Sequence, residues 1–473
     1  MRSERRRKSM TRVFYAVLME TVPVIGAGLA GSEAALQLAE AGFRVVLHEM
    51  RPIVPTAAHE TENAAELVCS NSMGSNLPDR PAGVLQNELQ ILDCKLLAIA
   101  HANSVPAGAA LAVDRDAFGE AVTAALEAHP NIELRRGEVL EVPEKGPCII
   151  ASGPLTSESL AASIQRLTGE EHLSFFDAIA PVVLADSVDR SIVFEGERWG
   201  NGDPDYLNIP LNREEYEAFV DALLTADKHE LKDFEAEDPH AKQFFERCLP
   251  IEIIAARGFE SLRFGPMRPV GLDDPRTGRW PRAVIQLRRE NTLGTLYNMV
   301  GFQTNLKYGA QETLLRSLPG MQNAEFARLG SMHRNTFLDS PKMLTVNLEF
   351  REREGLFFAG QITGMEGYLG NIGSGLVAGR NLVRRLQGKL PEPLPRETLL
   401  GALTHHVSEA PIKDFQPMKA QFGLLPPLVP PRKKDERRPA YAARSAARME
   451  EFRHNQTPET ATPAPSRDHA DHL

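Results

Sequence analysis

A glycine-rich turn set between an apolar run and a helical pattern constrains this chain more than any other feature. Val22-Pro23-Val24-Ile25 leads into Gly26-Ala27-Gly28-Leu29-Ala30-Gly31, and Ser32-Glu33-Ala34-Ala35-Leu36-Gln37-Leu38-Ala39 continues with helical periodicity. A glycine fingerprint alone is a weak signal, but a strand before it and a helix after it make this one a dinucleotide cradle. Gly26 allows the tight turn, Gly28 lets backbone N–H groups approach a pyrophosphate, and Gly31 lets the helix lie close on the strand. The positive end of that helix favours the phosphates. Glu49 closes the next apolar run, Arg44 to Glu49, about twenty residues on, where a carboxylate meets ribose hydroxyls. Near the other end, Gly355-Leu356-Phe357-Phe358-Ala359-Gly360-Gln361 again runs from a strand into glycine. Two such motifs forming one site point to a flavin.

The pattern between them predicts the fold class. Asp116 to His129 reads as a helix, Ile132 to Arg135 and Cys148 to Gly153 as strands, and Ser157 to Leu167 as a helix. This alternation predicts an α/β fold: a Rossmann-like FAD-binding domain on a parallel sheet, covering 22–185 and resuming over 332–432. Pro23 is costly in a central strand, so that strand is expected to begin only at Val24. From about Asp186 the pattern changes to a loop at Trp199 to Pro204, a helix at Glu214 to Leu224 and a strand-rich stretch at Glu290 to Gln303. An inserted α+β domain is therefore expected over 186–331. A final helix is expected from Gly375 to Leu386.

Proline, charge and alanine dominate past Pro391, and 433–473 is expected to be a disordered tail. At the start, Met1 to Lys8 followed by Val13 to Leu18 imitates a secretory leader. No small-residue cleavage site follows, and Glu20 leads directly into the first strand. The expectation for 1–21 is a disordered extension, or a translation start at Met10 or Met19.

At 473 residues the chain exceeds one ordinary core, which makes two domains the default. A net charge of −10 argues against binding nucleic acid with the whole surface but leaves room for a local basic patch. Mean hydropathy is −0.27, and no apolar run approaches the roughly 20 residues that span a bilayer, so no membrane association is expected. Cys69, Cys94, Cys148 and Cys248 are too few and scattered for a disulfide framework, and they show no paired metal-ligand spacing. A reducing, cytoplasmic setting and no metal are expected.

Taken singly, a cysteine among apolar residues is more often a small core residue than a catalyst. Cys94, in the helical pattern Gln86 to Ala100, and Cys148, opening an apolar strand, take that reading. Cys69 differs, because Ala65-Glu66-Leu67-Val68-Cys69 breaks into Ser70-Asn71-Ser72 soon after the ribose-binding acid, where a loop can face the cofactor. Cys248 sits between Arg247 and Leu249-Pro250, and an adjacent guanidinium favours a thiolate.

These residues resemble a known family. Gly26 to Gly31, Glu49-Met50-Arg51-Pro52, Glu66 to Ser72, Cys248-Leu249-Pro250-Ile251-Glu252, Leu262 to Leu272, Met332 to Thr336, and Gly360-Gln361-Ile362-Thr363-Gly364-Met365-Glu366-Gly367-Tyr368 look like the bacterial folate- and FAD-dependent tRNA (uracil-5-)-methyltransferases. The likeness is collinear from about Val22 to Gln387. It implies that a methylene group passes from 5,10-methylenetetrahydrofolate, by way of reduced FAD, to C5 of uridine 54 in the T loop of tRNA, with NAD(P)H as reductant. It implies Cys248 as the thiolate that adds to C6 and Cys69 as the second catalytic thiol, although these roles can be exchanged. It also implies cofactor contacts from Gly26, Ala27, Gly28, Leu29, Ala30, Gly31, Glu49, Arg51, Gly360, Gln361, Gly364, Glu366, Gly367 and Tyr368, and no obligate protein partner.

Uracil chemistry explains the need for thiols independently: C5 is a poor nucleophile until a thiolate at C6 makes the ring an enolate. The target base must also leave its stack. Arg257, Arg263, Arg268, Arg276, Arg279, Arg282, Arg288, Arg289, Lys307 and Arg316 make the insertion the expected phosphate contact, a pattern that a solvated charged face also produces. Gly364, Glu366, Gly367 and Tyr368 read as a packing turn or a cofactor contact. Gly373-Ser374-Gly375, opening a helix, is better explained by close approach to the flavin. His333 and Arg334 read equally as loop residues or cofactor contacts. The stretch Leu369 to Gly373 and Glu60 depart from the family pattern. Rival readings are the related flavoprotein that modifies wobble uridine, a small-molecule FAD oxidoreductase, and a flavoprotein that binds tRNA without modifying it.

Overall fold

The computed structural model describes residues 21–456 apart from 57, 170–172, 179, 199–204, 230–248, 331 and 412–414. The expected extension before residue 21 and the segment beyond 456 lie outside the described residues.

Five parallel strands form the first sheet: β1 (Val22–Ile25), β2 (Val45–Glu49), β3 (Ile132–Arg136), β4 (Cys148–Ile150) and β5 (Leu356–Phe358), in the order β5-β4-β1-β2-β3. Burial on both faces explains why β1, β2, β4 and β5 read as nearly unbroken Val, Ile, Leu and Phe. The strand order reverses at β1, so the crevice beyond its carboxyl end is the natural ligand position, and the glycine turn occupies it.

Pro23 lies within β1, paired with Val46, so the strand starts earlier than Val24. Val22 N–H donates to the Arg44 carbonyl on the β2 side. Alternate N–H groups point to opposite sides, so the missing N–H of Pro23 faces β4, whose pairing begins only at Val24. The proline therefore breaks no ladder bond.

The helices that shape the site are α1 (Leu29–Glu40), α2 (Pro81–Ile91), α3 (Tyr368–Leu386), α4 (Leu399–Glu409) and α5 (Lys434–Gln456). Helix α3 starts seven residues before the expected Gly375, and Gly373-Ser374-Gly375 lies inside it. The reason is packing: a Cβ on Gly375 would stand 2.0 Å from the Ala30 carbonyl oxygen, and one on Gly379 3.0 Å from that of Ala34. These glycines bring α3 into backbone contact with α1, which offsets a helix-propensity cost of about 1 kcal/mol each. Cys94 also departs from expectation, because it separates α2 from a second helix, Lys95–Ala102, instead of lying inside one.

A second, antiparallel sheet joins Phe194–Glu195, Tyr206–Leu211, Ala283–Arg289, Leu296–Met299, Val182–Leu184 and Phe326–Arg328 in that order, around its own apolar core. Its strand Val182–Leu184 precedes residue 186, where the sequence pattern shifts. The segments Leu173–Ala178 and Met332–Phe337 pair as an antiparallel ribbon, so His333 and Arg334 lie in a strand, not a loop.

The tail is the clearest correction, since residues 434–456 form α5. Ser445 and Met449 are buried along it, and Tyr441 stacks on Phe422 with centroids 5.5 Å apart. Its anchor is Glu88 of α2, fully buried, which accepts a hydrogen bond from the Ser445 hydroxyl and caps α4 through Leu399 N–H at 2.7 Å and Leu400 N–H at 2.8 Å. Burial pushes this carboxyl up to about 7, against the pull of its three donors. The folded chain thus holds a proton that the unfolded chain releases near 4.5, and the stability tied to it falls as pH rises from about 4.5 to 7. Thermal melts of the wild type and Glu88→Gln are expected to differ by an amount that changes across this window. A constant difference would place the titration elsewhere.

Candidate active site

Both glycine motifs line one cleft at the carboxyl end of the first sheet. Gly26, Gly28, Leu29, Ala30, Glu49 and Arg51 form one wall, and Gly360, Gln361, Tyr368 and Asn371 face them. The turn is built by backbone constraints. Gly26 has φ +103°, and a Cβ there would stand 2.4 Å from the Ala151 carbonyl oxygen. A Cβ on Gly31 would fall 1.8 Å from the Gly26 oxygen. Gly28 is different: its φ of −72° suits any residue, and a Cβ would meet nothing within 4 Å. Only a ligand against the turn requires glycine there.

Glu49 sits at the end of β2, its Oε2 accepting from Ala27 N–H at 3.2 Å and its Oε1 from the N–H and guanidinium of Arg51, each at 3.0 Å. Burial works against its ionisation, but Arg51 outweighs it and holds the carboxyl below the usual range. Arg51 is itself consumed by structure, donating to Thr61 O and Asn63 O at 3.0 Å and to Glu66 at 2.8 Å. It positions the loop that leads to Cys69.

The cleft's features fit a dinucleotide. Helices α1 and α3 begin at Gly28 and Gly367 with no side-chain cap, leaving first-turn N–H groups for an anion. The Asn371 side-chain oxygen is buried without a hydrogen-bond partner among the described residues. Asn371 belongs to the stretch that departs from the family pattern, and its place on the first turn of α3 was the available signal. Ala27 and Gly31 are packed inside the turn, and Gly364 is packed under Phe415.

A second cavity, of about 690 Å³, adjoins the first and shares Val68, Gln361, Tyr368 and Asn371 with it. Cys69 lines it, with Glu366, Gly367, Arg288 and Lys419. Cys69 and Ser70 donate their N–H groups to the Tyr368 hydroxyl at 3.0 and 3.1 Å. Burial, with Cys69 nearby, pushes the Tyr368 hydroxyl up, so it stays neutral. Cys94 and Cys148 are buried, and burial pushes the Cys148 thiol up to about 12, as expected of core thiols.

Cys248 lies outside the described residues. The chain that follows is described: Leu249 is buried, and Ile251 N–H donates to the Gln303 carbonyl at 2.8 Å. Gln303 lines the cavity that holds Cys69. Glu252, also buried, fixes this turn through Thr304 at 2.9 Å and Asn305 N–H at 2.8 Å.

The insertion's cations divide. Arg263 and Arg282 share Glu260, Arg276 grips Asp274, and Arg316 pairs with Glu312. Arg288, expected at a phosphate-contacting surface, is instead buried, donating to Asn71 at 3.1 Å and Ser70 at 2.8 Å. Arg257, Arg268, Arg279 and Lys307 are exposed. No helix among the described residues is long and apolar enough to cross a membrane.

Comparison with known proteins agrees with this geometry. The family model described as "Glucose inhibited division protein A" matches residues 21–390. The methylenetetrahydrofolate--tRNA-(uracil-5-)-methyltransferase TrmFO of Bacillus licheniformis is 51% identical over 427 residues, covering 90% of this chain and 97% of its own. The protein of the same name from Thermosynechococcus vestitus is 51% identical over 428 residues, covering 90% and 93%. Among solved structures, Aquifex aeolicus GidA superposes with a TM-score of 0.65 at 16% identity over 92% of this chain and 73% of that one, a likeness of fold. The chain therefore belongs to the GIDA family and, by its half-identical, nearly full-length relatives, to the methylenetetrahydrofolate--tRNA-(uracil-5-)-methyltransferases.

Proposed function

We propose that this protein methylates C5 of a uridine in tRNA, drawing the one-carbon unit from 5,10-methylenetetrahydrofolate, with FAD as resident cofactor and NAD(P)H as reductant. The base it modifies is uridine 54 of the T loop. The observation that carries this reading is the junction of the two cavities: a dinucleotide cleft opens at Tyr368 onto a chamber lined by Cys69, and Gln303 of that chamber holds the chain three residues after Cys248.

Bound FAD supplies one-carbon transfer and hydride chemistry at that junction. The chain's residues do the rest. Gly26, Gly28 and the uncapped starts of α1 and α3 hold the pyrophosphate, and Glu49 meets the ribose. The Cys248 thiolate adds to C6 of the everted uracil, making C5 nucleophilic. Cys69 takes part in removal of the C5 proton. Arg257, Arg268, Arg279 and Lys307 meet RNA phosphates, a contact that weakens with added salt. On this reading the enzyme acts in the cytoplasm.

Incubating the protein with a T-arm RNA, NADH and methylenetetrahydrofolate labelled in its one-carbon unit is expected to yield labelled 5-methyluridine at position 54 only. Label at a wobble position would support the related wobble-uridine flavoprotein. NADH consumption without any RNA product would support a small-molecule oxidoreductase.

A further inference from the structure

Two arginines from separate parts of the fold converge on one backbone oxygen. Arg115, the first residue of the helix Arg115–Ala128, donates to the Cys69 carbonyl at 3.2 Å. Arg328, the last residue of a strand in the second sheet, donates to the same oxygen at 3.0 Å and to the Val68 carbonyl at 3.2 Å. A carbonyl oxygen has two lone pairs, and both are taken. Because the Tyr368 hydroxyl accepts from the N–H groups of Cys69 and Ser70, the peptide on either side of the cysteine is fixed at every polar atom.

The surrounding charge is unbalanced. Arg115, Arg288 and Arg328 press on residues 68–71, and among the described residues the carboxylate directly paired with them is Glu290, 3.0 Å from Arg115. Glu60 faces Arg328 electrostatically, and Arg80, Glu366 and Lys419 line the same chamber. Nη1 of Arg115 and Nε of Arg328 are buried without a hydrogen-bond partner among the described residues. Burial and the nearby Arg115 lower the Arg328 guanidinium, whereas at Arg115 burial is outweighed by the pairing with Glu290, which raises it. An excess of buried positive charge favours an anion beside it.

We propose that Arg115 and Arg328 are positioning residues that clamp the Cys69 peptide in one orientation and hold its sulfur as a thiolate facing the chamber. The clamp draws one arm from the helix Arg115–Ala128 and the other from a strand of the second sheet, so the thiol is set only when these two parts of the fold are docked. The role rests on the reading of Cys69 as a reacting thiol in RNA methylation, but its test does not.

The test is the pH dependence of Cys69 alkylation by iodoacetamide, followed on the Cys69-containing peptide by mass spectrometry in the FAD-loaded protein. Arg328→Met is expected to raise the midpoint by about one pH unit and to lower kcat about tenfold with little change in KM for RNA. Arg328→Lys keeps the charge but cannot serve both carbonyls. Its midpoint is expected to stay near that of the wild type while kcat still falls. Arg115→Met is made together with Glu290→Gln, so that no unpaired carboxylate is left buried. Midpoints equal to the wild type in both Met variants, or an equal shift in Arg328→Lys, overturn the proposal. Full methylation by Cys69→Ser would refute the catalytic reading of Cys69 and leave the alkylation profile to decide the clamp.

Discussion

Cys248→Ala is expected to abolish 5-methyluridine formation, by at least about 10⁴-fold, and to end covalent capture of a T-arm RNA carrying 5-fluorouracil at position 54. The argument is chemical. Attack at C6 is the step that makes C5 nucleophilic, and without a thiolate there the carbon does not react. Once the C5 enolate has formed its new bond, restoring the C5–C6 double bond needs loss of the C5 substituent as a cation; fluorine cannot depart as a proton does, so the thiolate at C6 stays attached and the complex survives denaturation. Capture that persists in Cys248→Ala would move the nucleophile to another sulfur, with Cys69 first in line. The second cysteine predicts a different outcome: Cys69→Ala should lose turnover and retain capture. Glu252 and Ile251, fixed to Thr304, Asn305 and Gln303, keep the following turn in place in either variant.

Gly28→Val is expected to yield a folded protein that has lost its yellow colour. The three fingerprint glycines differ sharply here. Valine at Gly26 would need a left-handed backbone and would run into Ala151, and valine at Gly31 would run into Gly26. Both substitutions should cost the fold several kcal/mol, on the order of a severe overpacking change. At Gly28 the backbone is ordinary and the side chain enters open space. The substitution therefore removes only the approach of a pyrophosphate to the N–H groups of α1. Far-UV circular dichroism close to wild type with flavin absorbance reduced at least tenfold is the expected pair of results. Full flavin occupancy in the folded variant would mean that the dinucleotide does not cross this turn.

The glycine turn was legible in the sequence because its geometry is local: spacing, a strand before and a helix after fix what Gly26 and Gly31 must do. The parallel sheet followed from the same alternation. Contacts formed only by tertiary convergence were not legible. Nothing near Arg115 or Arg328 in sequence says that both reach Cys69, 46 and 259 residues away. Glycine near a cofactor motif is ambiguous between ligand and helix, so the sequence at Gly375 suggests a ligand contact where the structure has the Ala30 backbone of α1. Helix α5 is hard to read from the sequence because its anchoring uses few residues, chiefly Ser445, Met449 and the Tyr441 stack, on a strongly polar segment. Its run of alanine and arginine was a helix-propensity signal that composition obscured.

The nucleotide crevice is sealed by chain made late. Strand β5 completes a sheet, and helix α3 covers a ridge, Ala30 and Ala34, that was synthesised more than three hundred residues earlier. A nascent chain halted near residue 330 would therefore carry a bare strand edge at β4 and an uncovered apolar helix, both prone to self-association. The antiparallel unit in the middle has its own core, and the ribbon of Leu173–Ala178 with Met332–Phe337 at its boundary holds the chain that enters it beside the chain that leaves it.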